Sequence, residues 1–377
     1  MTRTVVHFTD SDQFGGTERA VLQVLAGLDR SRWRPVLLHR PEPGLAPLLE
    51  EARQLGVELR TVPPLRGAAG WSRLPTLVRQ IRDERAAIFH AHLTWPLACR
   101  LGLVGAALAG VPAVVATAQL FVDLPRDAWT TVQHRLVSTC VDRYLAVSRQ
   151  VAAQLRDRFG VRPGRITMVP NAVALERFSP ARTSASSPRP DPAGRPTVLT
   201  VARLDPQKGL HHLISAAALV PEARFMIVGD GPERAGLESR IAQLNLGDRV
   251  QLLGFRSDIP ELLAACDLFV LPSLFEGLPL SILEAMAASR PVVATAIGGN
   301  DEAVADGVTG VLVPPSDPQA LADAIRHLLR DPERRRRFGE AGRQRAEAEF
   351  STTAMVDRVA AVYDELLAAP GRRGTAG

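Results

Sequence analysis

Lysine is almost absent from this sequence of 377 residues. Lysine and arginine together number 45, yet Lys208 is the only lysine. An excess of Arg, Ala and Pro is typical of a biased base composition in the coding DNA, and one lysine among so many cations is consistent with chance. It is equally consistent with a specific role, because the compact ammonium of lysine and the planar guanidinium of arginine are not interchangeable at a phosphate.

Cysteine is also scarce, with three residues far apart in the chain at positions 99, 140 and 266. Their odd number and wide spacing exclude a disulfide framework and a cysteine metal site, and predict buried free thiols in a reducing compartment. The sequence starts directly with a strand-like segment, Thr4–Phe8, which predicts no signal peptide. We therefore expect a cytoplasmic protein.

Long apolar runs are few, but the run 101–122 carries no charge and could span a bilayer. Gly110 and Pro112 divide it into an Ala/Leu/Gly half and a β-branched half, Ala113–Thr117. A helix followed by a buried parallel strand explains both halves. The pattern therefore predicts a βα protein and not a membrane span.

The net charge of +5 raises the question of nucleic acid as a partner. No basic motif interleaved with aromatic residues is present, and the run Arg334–Arg337 lies beside acidic residues on a predicted helix. We expect no nucleic-acid partner. A second segment, with Arg126, Trp129, His134 and Arg135, suggests weak peripheral contact with an anionic surface at the inner face of the membrane.

Short apolar runs alternate with helical patterns almost throughout, which predicts an α/β protein with parallel sheets. A segment rich in Pro and Ser interrupts this rhythm and predicts an exposed linker at 181–196. We expect an N-terminal domain over 1–180 and a C-terminal domain over 197–350, both doubly wound and facing a central cleft. Ligands of such sheets bind outside the carboxyl ends of the strands.

The segment Pro272–Glu284 predicts a strand, a tight loop and a helix that begins near Pro279. The amides of Leu280 and Ser281 would then lie unpaired at a helix N-terminus, which favours an anion. Glu276 and Glu284 are better suited to binding nearby hydroxyls than phosphate. Together these features indicate a phosphorylated sugar, although an ordinary βα unit with two surface glutamates would look the same.

Arg203 and Lys208 follow the first strand of the second domain, at a predicted strand end. Two cations there would suit a diphosphate, above all a leaving diphosphate that gains charge in the transition state. The alternative is a solvated loop. The only lysine thus lies where a phosphate ligand is expected.

Further strand ends offer weaker signals. Gly229, with Gly231, permits close backbone approach before a helix that Asp230 could cap, and Phe255 and Arg256 could border a nucleotide base. In the first domain Gly15 and Gly16 open a helix and could contact phosphates with main-chain amides. Asp10 and Asp12 have a metal-like spacing, but we interpret them as a polar turn.

His92 is expected just after the fourth strand, where it could donate or accept a hydrogen bond in the cleft. A structural role is the usual one for a lone histidine. His90 is expected to point to the opposite side.

Taken in order, these motifs resemble a family 4 retaining glycosyltransferase with the GT-B fold, over nearly the whole chain. The resemblance implies that Glu276 and Glu284 contact the donor sugar and the ribose, that Arg203 and Lys208 bind the diphosphate, and that Gly15 and Gly16 close over the donor. It implies that His92 lies at the sugar and acceptor site, and that a final helix, 352–369, packs back on the first domain. From their positions at strand ends and at the predicted helix start, we also expect donor contacts at Gly229, Phe255, Arg256, Gly277, Leu278, Leu280 and Ser281.

Two positions depart from the family pattern. Ala202 replaces the usual glycine before Arg203, and Gln119 stands where many relatives carry histidine. The donor half is therefore the better matched, and the acceptor side is less defined.

The predicted reaction transfers a sugar from a UDP- or GDP-type donor to a hydroxyl of a glycan, lipid-linked or small-molecule acceptor, as in cell-envelope polysaccharide biosynthesis. We expect neither cofactor nor metal, because the cations and the helix N-terminus would stabilise the leaving diphosphate. The alternatives are a nucleotide-sugar epimerase or hydrolase on the same fold, or a non-catalytic nucleotide-sugar binding protein.

Overall fold

The computed structural model describes residues 2–63, 65, 67–120, 128–178, 191 and 193–369. The chain divides into two compact units, the first formed by 1–171 with 352–377 and the second by 172–351. The first unit thus ends at Asn171, whereas the sequence predicted residue 180. Most of the predicted linker, 181–196, lies outside the described residues.

The first unit contains a seven-stranded parallel sheet in the order β3-β2-β1-β4-β5-β6-β7. Its strands are β1 (Arg3–Phe8), β2 (Trp33–His39), β3 (Glu58–Thr61), β4 (Ile88–Leu93), β5 (Ala113–Ala118), β6 (Arg143–Ala146) and β7 (Ile166–Met168). Its helices are α1 (Gly16–Gly27), α2 (Ala46–Gln54), α3 (Gly67–Ser72), α4 (Leu74–Asp83), α5 (Arg100–Ala109), α6 (Ala128–Ser138) and α7 (Arg149–Ala153), the last continuing as π-helix over Gln154–Arg158.

The second unit contains a six-stranded parallel sheet in the order β10-β9-β8-β11-β12-β13. Its strands are β8 (Thr197–Val201), β9 (Arg224–Val228), β10 (Val250–Leu252), β11 (Leu268–Leu271), β12 (Val292–Thr295) and β13 (Gly310–Val313). Its helices are α8 (Leu210–Leu219), α9 (Arg234–Gln243), α10 (Ile259–Ala265), α11 (Leu280–Ala287), α12 (Asn300–Ala303), α13 (Pro318–Arg330) and α14 (Pro332–Glu349).

Both sheets are doubly wound, and their central strands are buried on both faces. Every residue of β4, β5 and β11 is buried, as expected for parallel strands covered by helices on each side. In each sheet the strand order reverses at the centre, between β1 and β4 and between β8 and β11. Ligands of such sheets bind outside the carboxyl ends of the strands at this switch point.

The last helix, α15 (Thr352–Ala368), belongs to the first unit. A Cβ atom added to Gly27 in α1 would lie 2.5 Å from the side chain of Val356, so the two helices are closely packed. Tyr363 is fully buried, and its hydroxyl lies 2.6 Å from His90 Nδ1. These contacts attach the C-terminal helix to the first sheet.

The uncharged run that could have spanned a bilayer divides as expected into α5 and β5. Within the described ranges, no helix combines the length and the apolar character that a membrane span requires.

Candidate active site

Two loops meet at the switch point of the second sheet, one after β8 and the other after β11. The first carries Arg203 and Lys208, and the second carries Glu276. Lys208 Nζ lies 2.5 Å from Glu276 Oε1, and their side chains are 17% and 5% exposed. The structure therefore brings together two of the predicted residues from distant parts of the chain.

Two further side chains complete the environment of the Glu276 carboxylate. Ser273 donates its hydroxyl to Oε1 at 2.7 Å, and Gln207 Nε2 lies 3.4 Å from Oε2. A buried carboxylate is costly unless it is paired and hydrogen-bonded, and here both oxygens have partners. Ser273 and Gln207 were not among the predicted site residues, since polar residues in loops give no specific signal.

Main-chain contacts hold the two loops in this arrangement. Leu274 N donates to Gln207 O at 2.7 Å, and Gln207 Nε2 donates to Phe275 O at 2.9 Å. Gly209 adopts a left-handed conformation with φ of +59°, and a Cβ there would lie 2.3 Å from Pro272 O. Only glycine fits at this crossing of the loops.

Helix α11 begins immediately after this pair. Pro279 is its N-cap with φ of −73°, and the helix starts at Leu280, as the sequence predicted. Leu280 and Ser281 are the first two residues of the helix, so their amides have no acceptor within it, and the first turn contains no acidic side chain. This helix end can therefore receive an anion. Glu284 follows one turn later on the same helix.

The loop after β12 supports the main chain in front of α11. A Cβ on Gly299 would lie 1.7 Å from Gly277 O, so glycine is required there. The side chain of Leu278 is buried in the core. Gly277 and Leu278 can consequently offer a ligand only their backbone groups.

Arg203 is held beside the site by an ion pair, with its Nε 2.5 Å from Asp205 Oδ2. Its side chain remains 54% exposed, whereas Asp205 is buried. The guanidinium is therefore oriented by its neighbour and accessible to an anionic ligand.

Two other predicted contact residues, Gly229 and Arg256, have structural partners of their own, whereas a third, Phe255, is exposed. Gly229 has φ of +135°, and a Cβ there would lie 1.9 Å from Ala202 O, so packing within the protein already explains this glycine. Arg256 forms a two-pronged ion pair with Asp258, with distances of 2.8 and 2.5 Å. Phe255 is exposed and has the apolar face that a nucleotide base could stack on.

The prediction that Asp230 caps the following helix is wrong. Helix α9 starts at Arg234 with Glu233 at its cap and no side-chain capping bond. Asp230 instead accepts a hydrogen bond from the adjacent amide of Gly231 at 2.8 Å. The extra residues of this turn displace the aspartate from the helix end.

In the first unit, Gly15 is the N-cap of α1, and Gly16 is its first residue. The amide of Gly15 donates to Glu18 Oε2 at 2.9 Å, so the chain's own carboxylate occupies this donor. Burial raises the pKa of Glu18. A Cβ added to Gly16 would meet nothing within 4 Å, which leaves space for a ligand at that main-chain position.

Asp10 lies in the turn after β1 and accepts a hydrogen bond from the amide of Cys99 at 2.7 Å. Cys99 has φ of +58° at the start of α5. Asp10 therefore connects two turns, which supports the interpretation of the acidic pair as part of a polar turn.

His92 lies within β4, not after it, because the strand continues to Leu93. The prediction that His90 points to the opposite side is also wrong. Residues two apart on a strand share a face, and the His90 and His92 rings have centroids 4.3 Å apart.

A third histidine completes this buried cluster. His7 Nδ1 of β1 lies 3.0 Å from His92 Nε2, and both residues are almost fully buried. His90 bonds to Tyr363 through Nδ1 and to Thr117 through Nε2, both at 2.6 Å. The strand adjacency of β1 and β4 was the only signal that could have identified His7.

The three rings can each place one nitrogen within 4.8 Å of the others, a spacing that a metal ion could bridge. Both nitrogens of His90 are already hydrogen-bonded, so the contacts fit a hydrogen-bond network better than a ligand set. Burial lowers the pKa of His92 to about 3 and lowers those of His7 and His90 well below the usual value. At neutral pH these imidazoles are uncharged donors and acceptors.

Helix α6 carries the segment proposed for membrane contact. His134 is buried, with its ring stacked 3.9 Å from that of Phe159, so its predicted contact with a surface is wrong. Arg126 lies outside the described residues. Trp129, Val132 and Leu136 are 69%, 44% and 65% exposed and recur at the spacing of one helical face.

Comparison with known proteins agrees with this architecture. Residues 14–177 match the family model described as Glycosyltransferase Family 4, and residues 182–345 match the model described as Glycosyl transferases group 1. Alpha-maltose-1-phosphate synthase from Mycolicibacterium smegmatis is 30% identical over 344 residues, covering 81% of this chain and 86% of that protein. Alpha-D-kanosaminyltransferase from Streptomyces kanamyceticus is 40% identical over 178 residues, and that match spans 46% of each protein.

The fold is also found in the crystal structure of Anabaena HepE in complex with UDP and glucose. The TM-score is 0.82 at 24% identity, covering 96% of this chain and 100% of that chain. The chain belongs to glycosyltransferase family 4, and it is a glycosyltransferase with the GT-B fold.

Proposed function

We propose that this enzyme transfers a sugar from a nucleoside diphosphate donor of the UDP or GDP type to an acceptor hydroxyl, with retention at the anomeric carbon. The observation that carries the proposal is the Lys208–Glu276 pair directly before the N-terminus of α11. A cation, free helix amides and a buried carboxylate lie together at a strand-order switch point. HepE, which shares this fold, was crystallised with UDP and glucose.

The leaving diphosphate gains negative charge as the bond to the sugar breaks. Arg203, Lys208 and the amides of Leu280 and Ser281 stabilise this charge, so the reaction requires no metal ion or other cofactor. Glu276 binds the sugar, and Glu284 binds the ribose. His92 hydrogen-bonds the sugar on the acceptor side.

Transfer proceeds on one face of the sugar. The bond from the anomeric carbon to the phosphate oxygen breaks while the bond to the acceptor oxygen forms, and the acceptor proton moves to the departing phosphate oxygen. A double displacement needs a free carboxylate as nucleophile. Glu276 is unsuited to that role because Lys208 and Ser273 already bind its oxygen Oε1.

Thermal-shift measurements with UDP, GDP and ADP test the donor class. A ligand that binds only the folded state raises the melting temperature, by an amount that grows with its concentration over its Kd. We expect UDP or GDP to raise it and the Arg203→Ala variant to lose the shift. Equal shifts in that variant would contradict the proposed diphosphate site.

Turnover assays test the reaction class. Lys208→Ala is expected to lower kcat by roughly 100-fold or more, the usual effect of removing one preorganised donor to a developing charge. Release of an epimer or free sugar from the donor alone, without an acceptor, would instead favour the epimerase or hydrolase alternative. Near-normal turnover by Lys208→Ala would contradict the assignment of this lysine.

We further propose that the acceptor is a glycan or lipid-linked molecule of the cell envelope and that the enzyme works in the cytoplasm at the inner face of the membrane. The exposed face of α6 formed by Trp129, Val132 and Leu136 supports this, with the exposed Arg135 beside it. The double variant Trp129→Ser, Leu136→Ser should lose binding to anionic vesicles at low salt. Leu108→Ser, which alters an exposed leucine of α5, is the matched control; equal binding by all three proteins would contradict the contact.

A further inference from the structure

His7 and His92 form a buried pair across two neighbouring strands of the first sheet. β1 and β4 are paired in parallel with His7 opposite His90, so His92 lies two residues further along the same face. The His7 and His92 rings are nearly parallel, with an interplanar angle of 16°. Their close nitrogens are His7 Nδ1 and His92 Nε2, 3.0 Å apart.

A hydrogen bond between two neutral imidazoles requires one N–H and one bare nitrogen. If His7 Nδ1 carries the proton, His92 Nε2 is the acceptor and the proton of His92 lies on Nδ1. If His7 Nδ1 is bare, His92 Nε2 carries the proton and His92 Nδ1 is an acceptor. Among the described residues, neither His92 Nδ1 nor His7 Nε2 has a hydrogen-bond partner, although both are buried. Unpaired buried polar atoms are rare in folded proteins and call for an explanation.

We propose that His7 is a positioning residue for His92: its Nδ1 hydrogen bond orients the His92 ring and couples the tautomers of the two imidazoles, so that the hydrogen-bonding character of His92 Nδ1 towards a substrate hydroxyl is set together with that of His7. This inference rests on the proposed function for the role of His92. His7 itself does not touch the substrate. It acts only through the second imidazole, as outer groups do when they orient a reactive histidine.

The packing around the pair restricts the His92 ring from a second side. The His90 ring lies against it and is itself fixed at both nitrogens by Tyr363 and Thr117. Because His90 is hydrogen-bonded at both nitrogens and His7 bonds to Nε2, the His92 ring is restrained on two sides. Loss of the His7 hydrogen bond removes one of these two restraints and leaves the packing of His92 against the His90 ring in place.

Three substitutions of His7 separate hydrogen bonding from packing. The amide of Asn places a donor and an acceptor close to the position of Nδ1, whereas Gln places its amide near that of Nε2, and Leu has no polar atom. We expect His7→Leu and His7→Gln to lower kcat by roughly 10-fold or more, as a small misplacement of a reacting group does. His7→Asn should retain most of the activity, and the donor KM should change by less than about twofold in all three.

His39→Leu is the matched control, because it removes another buried histidine from the same sheet, on β2, whose ring bonds to the main-chain oxygen of Arg40. Selective ¹⁵N labelling of histidine gives a readout that does not depend on activity. The His92 ring signals, assigned with His92→Gln, should report one neutral tautomer in the native protein and a changed or mixed tautomer in His7→Leu. Melting temperatures identify any variant that fails to fold. If His7→Leu fails to fold, the comparison of His7→Asn with His7→Gln still tests the proposal.

An unchanged His92 tautomer together with unchanged kcat in His7→Gln or His7→Leu would overturn the proposal. Equal losses in Asn, Gln and Leu would also overturn it, since they would indicate a packing role. If His92→Gln itself transfers sugar at the native rate, the proposed role of His92 fails. In that case a tautomer change in His7→Leu would still show that His7 orients the ring.

Discussion

Because Lys208 and Glu276 form a buried ion pair between the loops after β8 and β11, the loss of one charge should lower the stability of the second unit. In Lys208→Ala the carboxylate of Glu276 remains buried, with Ser273 and Gln207 as its remaining partners. Removing one member of a buried ion pair costs roughly 3–5 kcal/mol. Because two donors remain, we expect the lower end, about 3 kcal/mol.

This loss can be measured by calorimetry or circular dichroism. For a body of 150–250 residues, 1 kcal/mol lowers the melting temperature by about 2–4 °C, so a decrease of about 6–12 °C is expected for the transition of the second unit. The double variant Lys208→Met, Glu276→Gln should recover much of the stability, because it leaves no unpaired buried charge.

Arg203→Ala provides the contrasting variant in the same site. The Arg203 side chain is 54% exposed, so its ion pair should contribute less than about 1 kcal/mol to stability. We expect Arg203→Ala to lose donor binding with little change in melting temperature. Lys208→Ala should lose donor binding and also have a lower melting temperature. If Lys208→Ala unfolds within about 1 kcal/mol of the native protein, the reasoning from the buried pair is refuted.

Three further predictions concern pH, glycine and the last helix. Below pH 6.5 the histidines of the unfolded chain bind protons, whereas the buried ones do not, so the free energy of unfolding should fall as the pH decreases towards 3. The pKa of His92, lowered to about 3, alone accounts for about 2 kcal/mol of this loss at pH 5. A melting temperature that stays constant between pH 8 and pH 5 would contradict this prediction. Gly299→Ala should abolish donor binding because the added Cβ overlaps the main chain of Gly277 in front of α11, and a stable, active Gly299→Ala enzyme would refute this. Gly16→Ala should leave the melting temperature unchanged, because its Cβ meets no protein atom within 4 Å, and it should lower turnover only if a ligand approaches that position. Tyr363→Phe should cost about 1–3 kcal/mol in unfolding free energy by leaving a nitrogen of His90 unpaired, and no loss would indicate that another group satisfies it.

The alternation of apolar runs and helical patterns was enough to predict the two parallel sheets, because buried parallel strands appear as continuous β-branched segments. It placed the end of β4 at His90, three residues early, since histidine in a strand is normally a surface signal. Here the polar rings are buried and form hydrogen bonds with one another, with Tyr363 and with Thr117. These contacts depend on which strands are neighbours, which no local pattern contains.

The candidate site shows the same limit. Glu276, Lys208 and the start of α11 could be predicted because each follows a strand and carries a distinctive residue type. Ser273, Gln207 and His7 could not, because their importance comes from the atoms they meet across the loops or strands. Even α7 continues as π-helix from Gln154 without a break in its apolar pattern.

The division of the chain has a consequence for its synthesis. The second unit is one continuous segment, 172–351, whereas the first requires α15 from the far end of the sequence. On the ribosome, the second unit can fold as soon as its own residues have emerged, but the first must wait for the helix that packs against α1 and for the hydroxyl that pairs with Nδ1 of His90. The half of the enzyme that is translated first is therefore the half that is finished last.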